Sequence, residues 1–334
     1  MAIVEACRPA LEEIERAAQT LEGIVVHTSL VPLHGDGGHD EDAPTLLKVE
    51  THQRVGSFKI RGAYNLLSQL TAEERKRGAV AWSSGNHAQG VAAAGGMLGI
   101  PTAIVMPEDA PRAKLANTRK LGGEVITYDR YTGDREAIAR EIAAARDAVI
   151  VPSYDHEQII AGQGTVGLEI AAQAIEMELP PDQVLICCGG GGLSSGSAIA
   201  LKAKLTQVAV HSVEPLEFDD TARSLECGER VRVAESARSI CDALQAHTPG
   251  KMTFEINRRL LGKGLVVSDD EVREAMRFAF QNLKLVLEPG GAVALAVVLA
   301  GKIDTRGKTT AVVLSGGNVD SEMFAEIQRG GVSG

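Results

Sequence analysis

Short apolar runs alternate with helical stretches along almost the whole chain. Thr45–Val49, Ala79–Trp82, Thr102–Met106, Glu124–Thr127, Ala148–Val151, Gln183–Cys187, Gln207–Val213 and Thr309–Leu314 each read as a buried strand of about four to seven residues. Between them, Asn86–Leu98, Arg112–Leu121, Arg135–Arg146, Gly164–Met177 and Ser194–Leu205 read as helices. This alternation predicts an α/β architecture of parallel-rich open sheets with helices on both faces. Late in the chain, Val272, Met276, Ala279, Phe280 and Leu283 recur at three- and four-residue spacing within Asp269–Leu287. One helix follows from that stripe, with Asp269 or Asp270 as its N-cap. The polar stretch His34–Asp42 reads as a surface loop, and no internal repeat or low-complexity tract occurs.

The 334 residues are enough for two lobes, because single cores stop growing near about 250–300 residues. Hydrophobic content of 44% with 23% charged residues is that of an ordinary globular protein. Aromatics make up only 3% and the formal net charge is −10, with no basic block. Both features argue against a nucleic-acid or anionic-membrane partner. Five cysteines (Cys7, Cys187, Cys188, Cys227 and Cys241) fall in no CxxC spacing, which suggests neither a disulfide framework nor a zinc site. Charges recur through Met1–Thr20 and no run of about 18 apolar residues follows, so neither a signal peptide nor a membrane anchor is expected. The expected location is cytoplasmic.

Four polar motifs punctuate this frame. In Gly56-Ser57-Phe58-Lys59-Ile60-Arg61-Gly62-Ala63, a lysine stands between a glycine-led turn and an apolar helical run. It is either a desolvated amine suited to Schiff-base chemistry or a stem on the surface with its head in water. Cys187 and Cys188 lead into Gly189, Gly190, Gly191, Gly192 and Leu193, where a strand gives way to a helix. Without Cβ atoms, that backbone can curl its N–H groups around a phosphate at the helix start. A tight turn for close packing is the simpler alternative, and Glu214 leaves a weak dinucleotide reading open. Ser83-Ser84-Gly85-Asn86-His87 suits a carboxylate or a polar ring substituent, although Ser84 or Asn86 could be only an N-cap. Ser315-Gly316-Gly317-Asn318 closes the last predicted strand, at the end where open α/β sheets hold ligands.

In this order, the four motifs resemble those of pyridoxal-phosphate enzymes of the serine/threonine dehydratase family, close to serine racemase and threo-3-hydroxyaspartate ammonia-lyase. The resemblance covers roughly residues 20–325. It implies the two-lobed fold type II, like the tryptophan synthase β chain, with pyridoxal 5'-phosphate between the lobes. Residues 1–77 and 151–334 would form the large cofactor-binding domain and 78–150 a small mobile one. Lys59 would hold the cofactor as a Schiff base and move the Cα proton, with Phe58 beside it. Asn86 would meet the ring hydroxyl, Gly189 to Leu193 the phosphate, and Ser315 the pyridine nitrogen. Ser83, Ser84, Gly85, Asn86 and His87 would bind the substrate carboxylate, and Ser84 would serve as the acid/base on the opposite ring face, as in the racemase-like members.

A serine cannot hold the ring nitrogen protonated as an aspartate would, which favours β-elimination over long-lived charge in the ring. The implied activity is therefore an ammonia-lyase converting L-threonine, L-serine or a related β-hydroxy amino acid to a 2-oxo acid and ammonia. 3-Hydroxyaspartate dehydration and serine racemisation are the alternatives within this chemistry. A non-catalytic ligand-binding protein is the alternative outside it, and the intact Lys59 argues against that one. Glu214, Asp220 and the carbonyl of Phe218 resemble the family's divalent-cation site, whose all-oxygen ligation suits Mg2+, Mn2+ or Ca2+; solvated surface carboxylates are the other reading. Val55 stands where relatives commonly have threonine, and Ser239–Leu244 departs from their substrate-side segment. His52 and Arg54 are either exposed loop residues or receptors for a second carboxylate. No regulatory domain is expected, and a homodimer is.

Overall fold

The computed structural model describes residues 8–33, 43–110, 112–129 and 131–330. The predicted loop His34–Asp42 and Cys7 lie outside the described residues. The chain opens with helix α1 (Leu11–Leu21), followed by strands β1 (Leu30–Pro32) and β2 (Thr45–Val49). The lysine motif then starts α2 (Lys59–Ser68), and α3 (Ala72–Arg77) follows. A first βα series comprises β3 (Ala79–Trp82), α4 (Asn86–Leu98), β4 (Thr102–Pro107), α5 (Arg112–Lys120), β5 (Glu124–Tyr128), α6 (Arg135–Arg146) and β6 (Val149–Ile150). Helix α7 (Glu157–Glu176) leads to β7 (Gln183–Cys187), α8 (Gly192–Lys204), β8 (Ala209–Pro215), α9 (Asp220–Cys227), α10 (Lys251–Leu260) and β9 (Gly264–Val267). The chain continues through α11 (Asp269–Phe278), α12 (Pro289–Leu299), β10 (Thr310–Leu314) and α13 (Ser321–Gln328).

The strands build a six-stranded sheet of order β1-β2-β10-β7-β8-β9 and a four-stranded sheet of order β5-β4-β3-β6. All pairings are parallel except β1 with β2. Every residue of β2, β4, β7 and β10 is buried, as strands covered by helices on both faces require. Parallel register brings the carboxyl ends of β7 and β10 side by side, and the glycine loop and the Ser315 turn leave from those ends.

The eight predicted strands are present, each within about two residues of its expected bounds. Strands β1 and β9 went unpredicted. Both are short edges, and β1 ends in a proline that only an edge tolerates. The expected helix over Asp269–Leu287 needs two corrections. Ser268, not Asp269 or Asp270, is the N-cap: its hydroxyl accepts the Glu271 N–H while the Glu271 carboxylate accepts the Ser268 N–H. The helix also ends at Phe278 and passes through a π turn, Ala279–Leu283, to Lys284 at φ 58°. That turn slips the register, so Val272, Met276 and Ala279 stay buried while Phe280 faces out.

Two cores meet at helix α2. The larger sheet encloses residues such as Leu46, Leu185, Ile199, Val297 and Val312. The smaller sheet's Ala79, Ala81, Ile104 and Met106 pack instead with Ile60, Ala63, Leu66 and Leu67 from α2. Behind α2, Arg61 is fully buried in a charge cluster. It donates to both oxygens of Glu50 at 2.9 and 2.7 Å, and to Glu169 at 2.6 and 3.0 Å. The Lys48 ammonium donates to Glu169 at 2.5 Å, and the Thr28 hydroxyl to Glu50 at 2.5 Å. Burial works against the charge on Arg61, but Glu50 and Glu169 outweigh it and raise the pKa.

Candidate active site

The backbone of the lysine turn is unusual. Val55 sits at φ 56° and Gly56 at φ 71°, both left-handed, and a Cβ on Gly56 would fall 2.5 Å from Asn318 Oδ1. The Ser315 segment grips this turn. Phe58 N–H donates to the Ser315 carbonyl at 3.2 Å, Gly317 N–H to the Gly56 carbonyl at 2.9 Å, and Ser57 pairs with Gly316 in an antiparallel bridge. Lys59 therefore starts α2 at a fixed point beside the larger sheet. Its Nζ donates to the Ser153 carbonyl at 2.9 Å and lies 5.2 Å from the centre of the Phe58 ring. Burial pulls its pKa down to about 8, partly opposed by Cys187 and Glu288. Of the two readings of this lysine, the desolvated amine fits and the solvated head does not.

Ser83–His87 joins β3 to α4. Gly85 is the N-cap and no side chain caps the helix, so Ser84 and Asn86 are not there for capping. The N–H groups of Asn86 and His87 have no acceptor among the described residues and lie in the helix's first turn. Asn86 is held at both ends of its amide: Nδ2 donates to Glu288 at 2.5 Å and Oδ1 accepts from Asn318 Nδ2 at 2.7 Å. That Asn318 amide also donates to the Val55 carbonyl at 2.7 Å, tying the strained turn to Asn86. His87 is buried, and its Nε2 must carry the proton because it faces the Val151 carbonyl at 2.9 Å. Burial and the nearby Lys59 lower its pKa to about 3, so the ring is neutral.

The glycine loop fits a phosphate. None of the N–H groups from Gly189 through Leu193 has an acceptor among the described residues, and α8 begins at Gly192. Gly190 and Gly191 leave no room for a side chain. A Cβ on Gly190 would lie 2.3 Å from the Tyr154 ring, and one on Gly191, at φ 96°, 2.9 Å from Thr253. Thr253 Oγ1 donates to the Gly190 carbonyl at 2.6 Å and braces the curl. Ser315 is buried at the end of β10, and its Oγ accepts from the Cys187 thiol at 3.1 Å. The residues expected around pyridoxal phosphate thus lie on segments that touch one another, with a half-buried, largely desolvated amine at one end and unspent N–H donors at the other.

Glu214 and Asp220 are also neighbours, but they are not solvated surface groups. Glu214 is fully buried and accepts from Thr221 N–H at 2.9 Å and Ala222 N–H at 2.7 Å, which makes it a cap on α9. Both oxygens of Asp220 are buried without a partner. Burial, with Asp220 adding to it, raises the Glu214 pKa well above the carboxylate range; burial raises Asp220 to about 8. Phe218 is buried, its ring edge-on to His247 at 5.8 Å. No cluster of three His, Cys, Asp or Glu side chains suited to a metal occurs among the described residues.

Sequence reasoning missed Glu288, Ser153, Tyr154 and the pair Lys114–Asp242. Glu288 is buried at the N-cap of the apolar helix α12, where burial lifts its pKa to about 7. A glutamate before Pro289 at the head of a wholly apolar helix is a signal that could have found it. Lys114 Nζ meets Asp242 at 2.5 Å and joins the smaller sheet's helix α5 to the segment that borders the glycine loop. His52 and Arg54 are exposed.

The sequence matches the family described as pyridoxal-phosphate dependent enzyme over residues 21–316. It is 41% identical over 321 residues to the L-threo-3-hydroxyaspartate ammonia-lyase of a Pseudomonas species, spanning 95% of this chain and 98% of that one. Identity to the L-threonine ammonia-lyase of Thermotoga maritima is 40%, over 95% of this chain and 77% of that one. Among solved structures, the T.th. threonine deaminase aligns with a TM-score of 0.86 and 39% identity, covering 93% of this chain and 98% of that one. Maize serine racemase aligns with a TM-score of 0.87 and 32% identity, covering 94% and 95%.

Proposed function

The chain belongs to the pyridoxal-phosphate dependent enzymes of fold type II, and from that premise we propose an ammonia-lyase acting on L-threonine, L-serine or a related β-hydroxy amino acid. The observation that carries this reading is the direct stitching of the Lys59 turn to the Ser315 segment, which sets a desolvated amine beside a neutral hydroxyl. When bound, the cofactor supplies an electron sink for the charge released at Cα. Lys59 Nζ would anchor it and move the Cα proton. Five backbone N–H groups, from Gly189 to Leu193, would hold its phosphate, and the Asn86 amide, fixed by Glu288 and Asn318, would meet the ring hydroxyl. Ser315 would meet the ring nitrogen with a neutral hydroxyl, which cannot hold that nitrogen protonated as a carboxylate would. The half-buried Ser83–Gly85 turn and the first N–H groups of α4 take the substrate carboxylate.

Residues 78–150 would act as a small mobile lobe that closes over the substrate and excludes water, with the Lys114–Asp242 pair spanning the two sides. We take the enzyme to be a cytoplasmic homodimer; among the described residues, no helix is long and apolar enough to cross a membrane. The panel that tests the substrate scores 2-oxo acid and D-isomer from L-threonine, L-serine and 3-hydroxyaspartate. L-Threonine or L-serine should give the highest kcat/KM. A higher value for 3-hydroxyaspartate would overturn the preference in favour of the reading suggested by the 41% identical relative. Ser84→Ala should lower any racemisation by about 10²-fold or more, as loss of a positioned acid/base does, while elimination from the L-isomer survives.

The same proposal includes a divalent cation, Mg2+, Mn2+ or Ca2+, held by Glu214, Asp220 and the Phe218 carbonyl. Two buried carboxylates, one without any partner, support it, because such charge is costly unless paired or coordinated. Mg2+ at a hundredfold excess over its Kd should stabilise the chelator-treated protein by about 2.7 kcal/mol. Asp220→Asn should abolish that gain while raising the metal-free Tm only above about pH 8, where the buried Asp220 carboxylate carries its charge. Equal responses to Mg2+ in both proteins would rule out this site.

A further inference from the structure

We propose that Cys187 is a positioning residue: its thiol donates to Ser315 Oγ and so commits that hydroxyl to donating toward the pyridine nitrogen. The inference rests on the reading that Ser315 faces that nitrogen. Strands β7 and β10 are parallel neighbours, with Val312 opposite Leu185, so their last residues leave the sheet together. Cys187 Sγ reaches Ser315 Oγ at 3.1 Å, and both residues are buried. Cys188, one residue on, turns the other way, toward Ser194 and Thr221 at 3.4 Å each. Only the first cysteine of the pair therefore touches the cofactor side.

Counting protons gives the consequence. A serine hydroxyl has one hydrogen to give and two lone pairs to receive with. The thiol fills one lone pair, and among the described residues nothing accepts the Ser315 proton. A buried hydroxyl without an acceptor is costly, and an unprotonated ring nitrogen has the lone pair it lacks. A protonated nitrogen could use only the remaining lone pair, which would leave the buried Ser315 proton with no acceptor. Accepting from the thiol also polarises the hydroxyl and strengthens the bond it gives. The thiol keeps its proton for this task, because burial pushes its pKa up to about 11. A buried, protonated thiol is a poor nucleophile, which leaves donation as its chemical role.

The test is the ring-nitrogen chemical shift of holoenzyme reconstituted with 15N-labelled cofactor, read together with the cofactor Kd. Wild type should show an unprotonated, hydrogen-bonded nitrogen. Cys187→Ala should move the shift toward that of a nitrogen without a donor and weaken cofactor binding about 3- to 10-fold, the worth of one modest hydrogen bond. Cys187→Ser, which restores an O–H donor, should return both values close to wild type. An unchanged shift in Cys187→Ala, or a Cys187→Ser shift as displaced as the alanine variant's, overturns the proposal. Ser315→Ala separates it from the reading beneath it. If that variant moves the shift while Cys187→Ala does not, only the role of Cys187 falls. If neither moves it, the placement of the ring at Ser315 falls as well.

Discussion

Lys59→Ala should lower turnover of the β-hydroxy amino acid by about 10³-fold or more and remove the visible absorbance of lysine-bound cofactor. The first loss follows from removing a positioned base, worth about 10²–10⁴-fold by itself, together with the covalent anchor. The second is independent of activity. The environment of this amine adds a pH signature. With its pKa near 8, Lys59 is half neutral at pH 8, whereas a lysine at 10.5 would be neutral in roughly one molecule in 300. Recapture of cofactor by apoenzyme should therefore speed up with pH through a midpoint near 8, and a midpoint near 10 would contradict the buried environment. A purified Lys59→Ala protein that keeps full turnover would refute the assignment outright.

Arg61→Leu should cost about 3–5 kcal/mol of stability, the usual penalty for removing one partner from a buried ionic cluster. The guanidinium forms two-pronged contacts with Glu50 and Glu169, and neither carboxylate has enough other partners to stay comfortably charged without it. Lys48 and Thr28 would still bind them, so the loss should fall short of complete unfolding. Arg61→Lys should recover only part of the difference, because an ammonium cannot serve two carboxylates in that planar geometry. Urea unfolding of the holoprotein measures it. A midpoint for Arg61→Leu equal to wild type would mean that the cluster contributes nothing to the fold.

Much of the frame was legible in the sequence because its signals are local. Buried parallel strands are runs of Val, Ile, Leu and Ala, and β2, β3 and β7 carry the predicted bounds. The four polar motifs were also legible, since each places its chemistry within a few residues. What escaped depends on contacts between distant segments. Lys59 reaches Ser153 across 94 positions and Asn86 reaches Glu288 across 202, and no periodicity reports such pairings. The ring of His87 bonds Val151 through Nε2 across 64 positions, leaving its buried Nδ1 and its backbone N–H without partners among the described residues. The π turn after Phe278 escaped for another reason: a helix stripe extends smoothly through a register slip that only the backbone reveals.

Helix α2 carries a consequence for the ancestry and engineering of this protein. Its apolar face belongs to the smaller sheet's core through Ile60, Ala63, Leu66 and Leu67, while the turn at its head is stitched to the larger sheet at Ser315 and Gly317. Residues 78–150 are therefore not a self-contained cassette. A graft of that segment alone from a relative would meet a foreign helix face, whereas a graft that included α2 would bring its own lysine. Recombination that exchanges the smaller sheet has to carry Lys59 along with it, so that sheet and the lysine at the head of α2 move as one piece.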